Sequence, residues 1–299
     1  MKHAISVSLG SSTRDKVVEV ELLGQKVRIE RIGTDGNEEK AKKMFRDLDG
    51  KIDAFGVGGI DLAVHTPWKD YPLYGACKLV KDVHHTPCVD GGGLKATLEA
   101  QVMQYAEEKL GKKIFPKTAF LVAGITRYGM TESFFEAGYD CTFGDLMFGL
   151  DIPISVRGQK TIEILGRFLL PIVGRMPISM LYPMGEKQLE VAPKYEKHYH
   201  NNTVIAGDWL YIKQHFPENM EGKVIVTNTT TEDDITFLTE RGLKYLITTT
   251  PVMDGRSFGT NMLEAALVAA AGKGRPLTKA ELEEIIKQLG LTPQIQELN

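Results

Sequence analysis

Lys69 and Asp90 are the residues whose types best suit proton transfer. Lys69 follows Thr66-Pro67-Trp68, and Asp90 precedes Gly91-Gly92-Gly93. A lysine and a carboxylate facing one hydroxyl can pass its proton, provided the lysine is shifted toward neutral pH or the pair shares the proton. Three glycines would leave space over the carboxylate for a substrate. The plainer alternatives are a surface lysine and an aspartate that turns back onto its own backbone.

A second constellation spans residues 118–145. It reads as strand (119–123), tight turn (Gly124 to Gly129), helix (130–137), strand (140–143), then Asp145. This is the layout of a dinucleotide-binding unit. Glycines let the backbone approach a pyrophosphate, and the helix start offers free N–H groups. Asp145 stands 21 residues after Gly124, the spacing at which an acid holds an adenosine ribose. Thr126 occupies the place of the usual second glycine, where its hydroxyl could itself bond a phosphate. Gly124, Thr126, Arg127, Gly129 and Asp145 are therefore the expected cofactor contacts. An ordinary strand–turn–helix is the alternative. Two more strand-end loops are small and polar, Asn228-Thr229-Thr230 and Thr249-Thr250-Pro251. The first could equally cap the helix that follows it. Ser6 and Ser8 alternate on the first strand and could bond a substrate carboxylate.

Other chemistries find less support. His84 and His85 are adjacent and point apart. His198 and His200 would share a face if extended, but no third ligand is evident, so no metal site is expected. There is no G-x-S-x-G or G-K-[ST] loop. A net charge of −3 over 299 residues argues against broad nucleic-acid binding. Three cysteines without C-x-x-C spacing and no evident secretory signal suit a reducing cytoplasm. No apolar run is long enough to span a bilayer.

These residues must be held by a framework, and the framework reads as alternating strands and helices. The expected fold is α/β in two domains: an N-terminal α/β substrate domain over residues 1–112, and a C-terminal Rossmann-like, doubly wound parallel sheet over 113–299 with a helical insertion near 154–200. Strands are expected at 4–9, 17–21, 26–31, 54–57, 204–206, 224–227 and 245–248. Helices are expected at 38–48, 75–83, 94–110, 233–241, 262–271 and 278–289. The insertion places Arg157, Lys160, Arg167 and Arg175 among leucines and isoleucines, broken by Pro171 and Pro177. It reads as a lid, a subunit contact, a membrane-surface element, or a packed insertion with snorkelling arginines.

Four fragments together carry a resemblance. Thr66-Pro67-Trp68-Lys69, Asp90-Gly91-Gly92-Gly93, Asn228-Thr229-Thr230 and Gly259-Thr260-Asn261-Met262-Leu263 are similar to loops of the shikimate/quinate dehydrogenase family, above all its bacterial quinate-type members. Cys88 and Val89 stand where that family has Asn-Thr, and Ala266 where it has a glutamine. The resemblance implies that Lys69 and Asp90 are catalytic and that Asn228 and Thr229 lie near a nicotinamide. The implied function is an NAD(P)-dependent oxidoreductase acting on a secondary alcohol of a carboxylated ring. NAD is favoured over NADP because Asp145 would repel a 2′-phosphate. The alternative is a non-catalytic nucleotide- or metabolite-binding protein. The expected partners are a small-molecule substrate and, if the protein assembles, a second copy in a homodimer.

Overall fold

The strand β1 (Lys2–Ser8) buries five consecutive residues, Ala4 to Ser8, which marks it as covered on both faces. The computed structural model describes residues 1–181, 191–253 and 256–299; residues 182–190 of the expected insertion lie outside these. The fold is mixed α/β, and the chain forms two compact units.

The first unit holds Met1–Thr97, Gly259–Leu291 and a segment beginning at Leu170. After β1 come β2 (Lys16–Leu22), β3 (Gln25–Gly33), β4 (Ala54–Gly58), β5 (Ala63–Thr66), β6 (Lys69–Pro72) and β7 (Cys88–Val89). The five-stranded sheet runs β2-β3-β1-β4-β7. The last four are parallel, and β2 returns antiparallel to β3. β5 and β6 form a separate hairpin. The helix Thr260–Ala271 is buried along nearly its whole length and packs against β1, β3 and β4.

That helix is why the division differs from one at residue 112. Its run of Leu263, Ala265, Ala266, Leu267 and Ala269 is small and apolar on every side. Such a helix must be covered all round, and the first sheet does part of that covering.

The second unit holds Leu98–Leu169, Thr292–Asn299 and the described part of 189–258. Its strands are β8 (Thr118–Leu121), β9 (Asp140–Phe143), β10 (Val156–Arg157), β11 (Val204–Ala206), β12 (Val224–Thr227) and β13 (Tyr245–Thr248), with Gln294–Glu297 closing the far edge. The order is β10-β9-β8-β11-β12-β13 and then the closing strand. The five central strands are parallel and both edges are antiparallel. A core of Phe120, Val122, Tyr199, Ile205, Trp209, Phe216 and Leu246 packs against this sheet.

Numbered by their place in the chain, the five parallel strands run 2-1-3-4-5. The strand order of the dinucleotide-binding dehydrogenases is 3-2-1-4-5-6. In this unit the order reverses between β8 and β11, and loops leaving these two strands diverge there.

Four expectations differ. The helix over 94–110 is broken into Gly92–Lys95, a 3-10 turn at Glu99–Gln101, and Val102–Leu110. The helix over 75–83 shrinks to Tyr74–Cys77. Lys69 is on β6 rather than in a loop. The histidines at 198 and 200 lie on the helix Glu196–Asn201, not on an extended segment. Among the described residues no helix is long and apolar enough to cross a membrane.

Candidate functional site: a buried ionic cluster at the reversal point of the second sheet

In parallel sheets ligands bind outside the carboxyl ends of the strands, where the strand order reverses. In the second unit that place is marked by the loops after β8 and β11, and Arg127 and Asp208 come from those loops. Arg127 precedes the helix Tyr128–Glu136. Its guanidinium is 6% exposed and is shared by two acids. Nη1 donates to Glu99 Oε1, and Nη2 donates to Asp208 Oδ2 at 2.7 Å. Asp208 caps the helix Trp209–Gln214 through Leu210 N. It also accepts from Asn228 Nδ2 at 3.0 Å. Asn228 Oδ1 accepts from Trp209 N at 3.3 Å and Thr227 Oγ1 at 3.1 Å. Thr249 and Thr250, after β13, donate to Glu99 Oε1 at 3.5 Å and to Asn228 O at 2.8 Å.

Glu99 is the deepest charged member of the cluster, with a side chain 1% exposed. Its Oε2 is buried and has no hydrogen-bond partner among the described residues. A buried acceptor left unsatisfied costs about 1–3 kcal/mol, and more when charged. The cluster therefore holds a buried acceptor without a donor among the described residues, beside one cation and a second acid.

The sequence placed Arg127 and Asn228 at a site but gave them a cofactor, it singled out the loop that carries Thr249, and it missed Glu99 and Asp208. A strand-end acid in Gly207-Asp208-Trp209 was the available signal for Asp208. Glu99, within an expected continuous helix, gave none.

The other expected cofactor contacts are occupied by the protein itself. Asp145 accepts from Gly124 N at 3.0 Å and Ile125 N at 2.8 Å. Gly124 is the first glycine expected beside a pyrophosphate, and the carboxylate expected on a ribose is the group that takes up its amide. Burial pushes Asp145 up to about 6, against the opposing pull of those same amides. Gly124 is required by packing, since a Cβ there would lie 2.5 Å from the Phe143 ring. Thr126 Oγ1 donates to Ala123 O at 3.4 Å. Gly129 lies within the helix Tyr128–Glu136. Thr229 is half-buried in the loop. The cap of the helix Glu232–Glu240 is Thr231, which forms a capping box with Asp234.

In the first unit the expected proton-transfer pair does not form. Lys69 is exposed, with Nζ 5.5 Å from the centre of the Tyr71 ring. Asp90 accepts from Leu62 N at 2.6 Å, Ala63 N at 3.3 Å and Gly92 N at 2.9 Å. The space beside Gly92 and Gly93 is filled from within. A Cβ on Gly92 would come 2.6 Å from the His65 ring, and one on Gly93 would come 2.4 Å from Leu282 and 2.7 Å from Glu264. Glu264 itself accepts from Gly93 N at 3.0 Å and Leu94 N at 3.4 Å. Burial, then the charge of Asp90, pushes Glu264 up to about 7. The lone acid in an otherwise apolar helix was a signal that the sequence reading passed over.

Ser6 and Ser8 are buried and engaged. Ser6 Oγ accepts from Asn261 Nδ2 at 2.6 Å, and Ser8 Oγ accepts from Arg31 Nη2 at 3.0 Å and Gly10 N at 3.1 Å. Among the described residues no group of three or more His, Cys, Asp or Glu is placed to hold a metal ion.

The fold and this cluster define an α/β protein with parallel sheets and a polar strand-end site. The chain belongs to the family described as a domain of unknown function, DUF8754, whose model matches residues 93–298. A second model, DUF8753, also a domain of unknown function, matches residues 3–90. A search of curated proteins finds no match.

Among solved structures, the chain is similar to a galactofuranose binding protein at 11% identity, covering 99% of this chain and 95% of that one, with a TM-score of 0.39. It is similar to a Mycobacterium smegmatis protein in complex with β-D-fucofuranose at 11% identity, covering 93% and 88%, TM-score 0.37. A sugar ABC transport system substrate-binding protein from Bordetella parapertussis 12822 matches at 10% identity, covering 99% and 89%, TM-score 0.37. The family models that match this chain are domains of unknown function, not shikimate or quinate dehydrogenases. The resemblance to that family, and the NAD(P)-dependent oxidoreductase it implied, are corrected accordingly. The occupied amides of Gly124 and Ile125 and the separate engagements of Lys69 and Asp90 give the physical reason.

Proposed function

We propose that this protein binds a small, uncharged, hydroxyl-rich molecule at the cluster of Glu99, Arg127, Asp208 and Asn228, without transforming it. The observation that carries this reading is Glu99 Oε2, a buried carboxylate oxygen that lacks a donor among the described residues, at the reversal point of the sheet. A hydroxyl supplies such a donor and still has lone pairs for Arg127 or Asn228. Two acids to one base make the cluster net negative, which disfavours a phosphate or carboxylate ligand. Sites of this kind use a few fixed polar groups for orientation, and these are held by one another rather than by loop chance.

The test is titration calorimetry against glucose, galactose and myo-inositol, with quinate and NAD as anionic controls. At least one neutral compound should bind, and neither anion should. Glu99→Gln should weaken that binding by about tenfold or more, because a hydrogen bond to a charged acceptor is replaced by one to a neutral amide. Silence from all three neutral compounds, or an unchanged affinity in Glu99→Gln, would sink the proposal.

A further inference from the structure

The strand β2 is the outer edge of the first sheet, and among the described residues no further strand pairs with it. It runs from Lys16 to Leu22 in unbroken register with β3 and contains no proline. A row of edge N–H and C=O groups is a template for another strand unless a proline or a bulge spoils it, and β2 has neither. Its side chains alternate. Val18 and Val20 are half-buried and Leu22 is buried, on the same face as the buried Val27 and Ile29 of β3. Val17, Glu19 and Glu21 are exposed on the other face. There the charges change sign from one strand to the next: Glu19 stands opposite Arg28, and Glu21 opposite Lys26. Arg28 Nη2 lies 3.5 Å from Glu30 Oε2, and neither Glu19 nor Glu21 is held in an ion pair among the described residues.

We infer that β2 takes up an extended segment of another protein, one with basic residues at alternate positions and apolar residues between them. Strand addition of this kind draws affinity from main-chain hydrogen bonds and specificity from alternate side chains. Cations opposite Glu19 and Glu21 continue the change of sign that β3 begins, and opposite charges directly across a ladder stabilise it. The residues between them fall on the other face, beside Val18 and Val20, where apolar side chains extend the buried layer. The same charges exclude a second copy. On its exposed face β2 carries Val17, Glu19 and Glu21, so a copy joined edge to edge about a two-fold axis brings only acids to that face, and like charges across a ladder destabilise it.

Fluorescence anisotropy of a short labelled peptide that alternates lysine and valine, titrated with the full chain, tests this. The peptide should bind. A glutamate–valine peptide should not, and neither should a lysine peptide of equal charge with proline in place of valine, because proline cannot join a ladder. Hydrogen exchange should slow at residues 16–22 when the lysine–valine peptide is bound. The double variant Glu19→Gln/Glu21→Gln should weaken binding about fivefold or more, the effect of two cross-strand pairs, with a melting temperature close to the parent's. No binding of the lysine–valine peptide, equal binding of the proline peptide, or protection elsewhere than residues 16–22 overturns the inference. So does an unchanged affinity in the double variant, or a dimer in the ultracentrifuge whose residues 16–22 lose protection on dilution.

Discussion

Arg127→Leu should lower the unfolding free energy of the second unit by about 3–5 kcal/mol, the range for breaking a buried ion pair from one side. The arginine is the charge partner of Glu99 and of Asp208, whose side chains are 1% and 25% exposed. Removing it leaves the Glu99 carboxylate in a low-dielectric interior with Thr249 as its remaining hydrogen-bond partner among the described residues. The test is denaturant unfolding of three variants: Arg127→Leu, Glu99→Leu and the double Arg127→Leu/Glu99→Leu. The double should recover a large share of the single loss, because the stranded charge is gone. Arg157→Ala, at an exposed pair with Asp140, serves as the control and should cost less than about 1 kcal/mol. A loss for Arg127→Leu as small as the control's would mean that the cluster is solvated and not buried in solution.

Glu264→Gln should make the protein more stable than the parent above pH 7, and should remove much of the parent's pH dependence. Glu264 is pushed from an ordinary 4.5 up to about 7, by burial first and by the charge of Asp90 second, against the pull of the Leu94 and Gly93 amides and of His65. The folded state thus favours the protonated form. The stabilising contribution is complete below about pH 4.5 and is lost as pH rises to about 7. The displacement corresponds to about 3 kcal/mol. Glutamine keeps an oxygen for the Gly93 and Leu94 amides and never ionises. Unfolding in urea between about pH 5 and 8 should therefore show a falling parent curve and a flatter variant curve. Some slope should survive below about pH 6 from Asp145, which is raised the same way. Parallel curves for parent and variant would rule out Glu264 as the titrating group.

Strands were the most legible part of this chain. β9, β11, β12 and β13 fall on the expected residues, because short β-branched and aromatic runs between turn residues have few other ways to be buried. The helix Glu38–Leu48 also coincides, with Asn37 as its cap. The break at Glu99 was not legible. Locally, residues 94–110 favour one helix, but Glu99 must reach Arg127, and a partner 28 residues away overrides propensity. The dinucleotide motif failed for a different reason. Gly124 and Asp145 have the right types and spacing, yet each answers a local need: room for the Phe143 ring, and acceptance of two turn amides. A strand–turn–helix–strand unit generates that spacing by itself. What separates a phosphate cradle from a self-satisfied turn is where the amides point, and one sequence does not carry that information.

The helix Thr260–Ala271 has a consequence in time. It packs against β1, β3 and β4 and anchors Ser6 through Asn261, yet it follows every parallel strand of both sheets in the chain. A ribosome adding about 5–20 residues per second exposes β1 and β4 for on the order of ten seconds to a minute before their cover exists. The second unit's parallel strands are all synthesised within that interval. The first sheet must therefore wait, open on the face that this helix will later occupy, and long-range closure of this kind is slow and exposed to aggregation. During synthesis the vulnerable part of this molecule is the part made first.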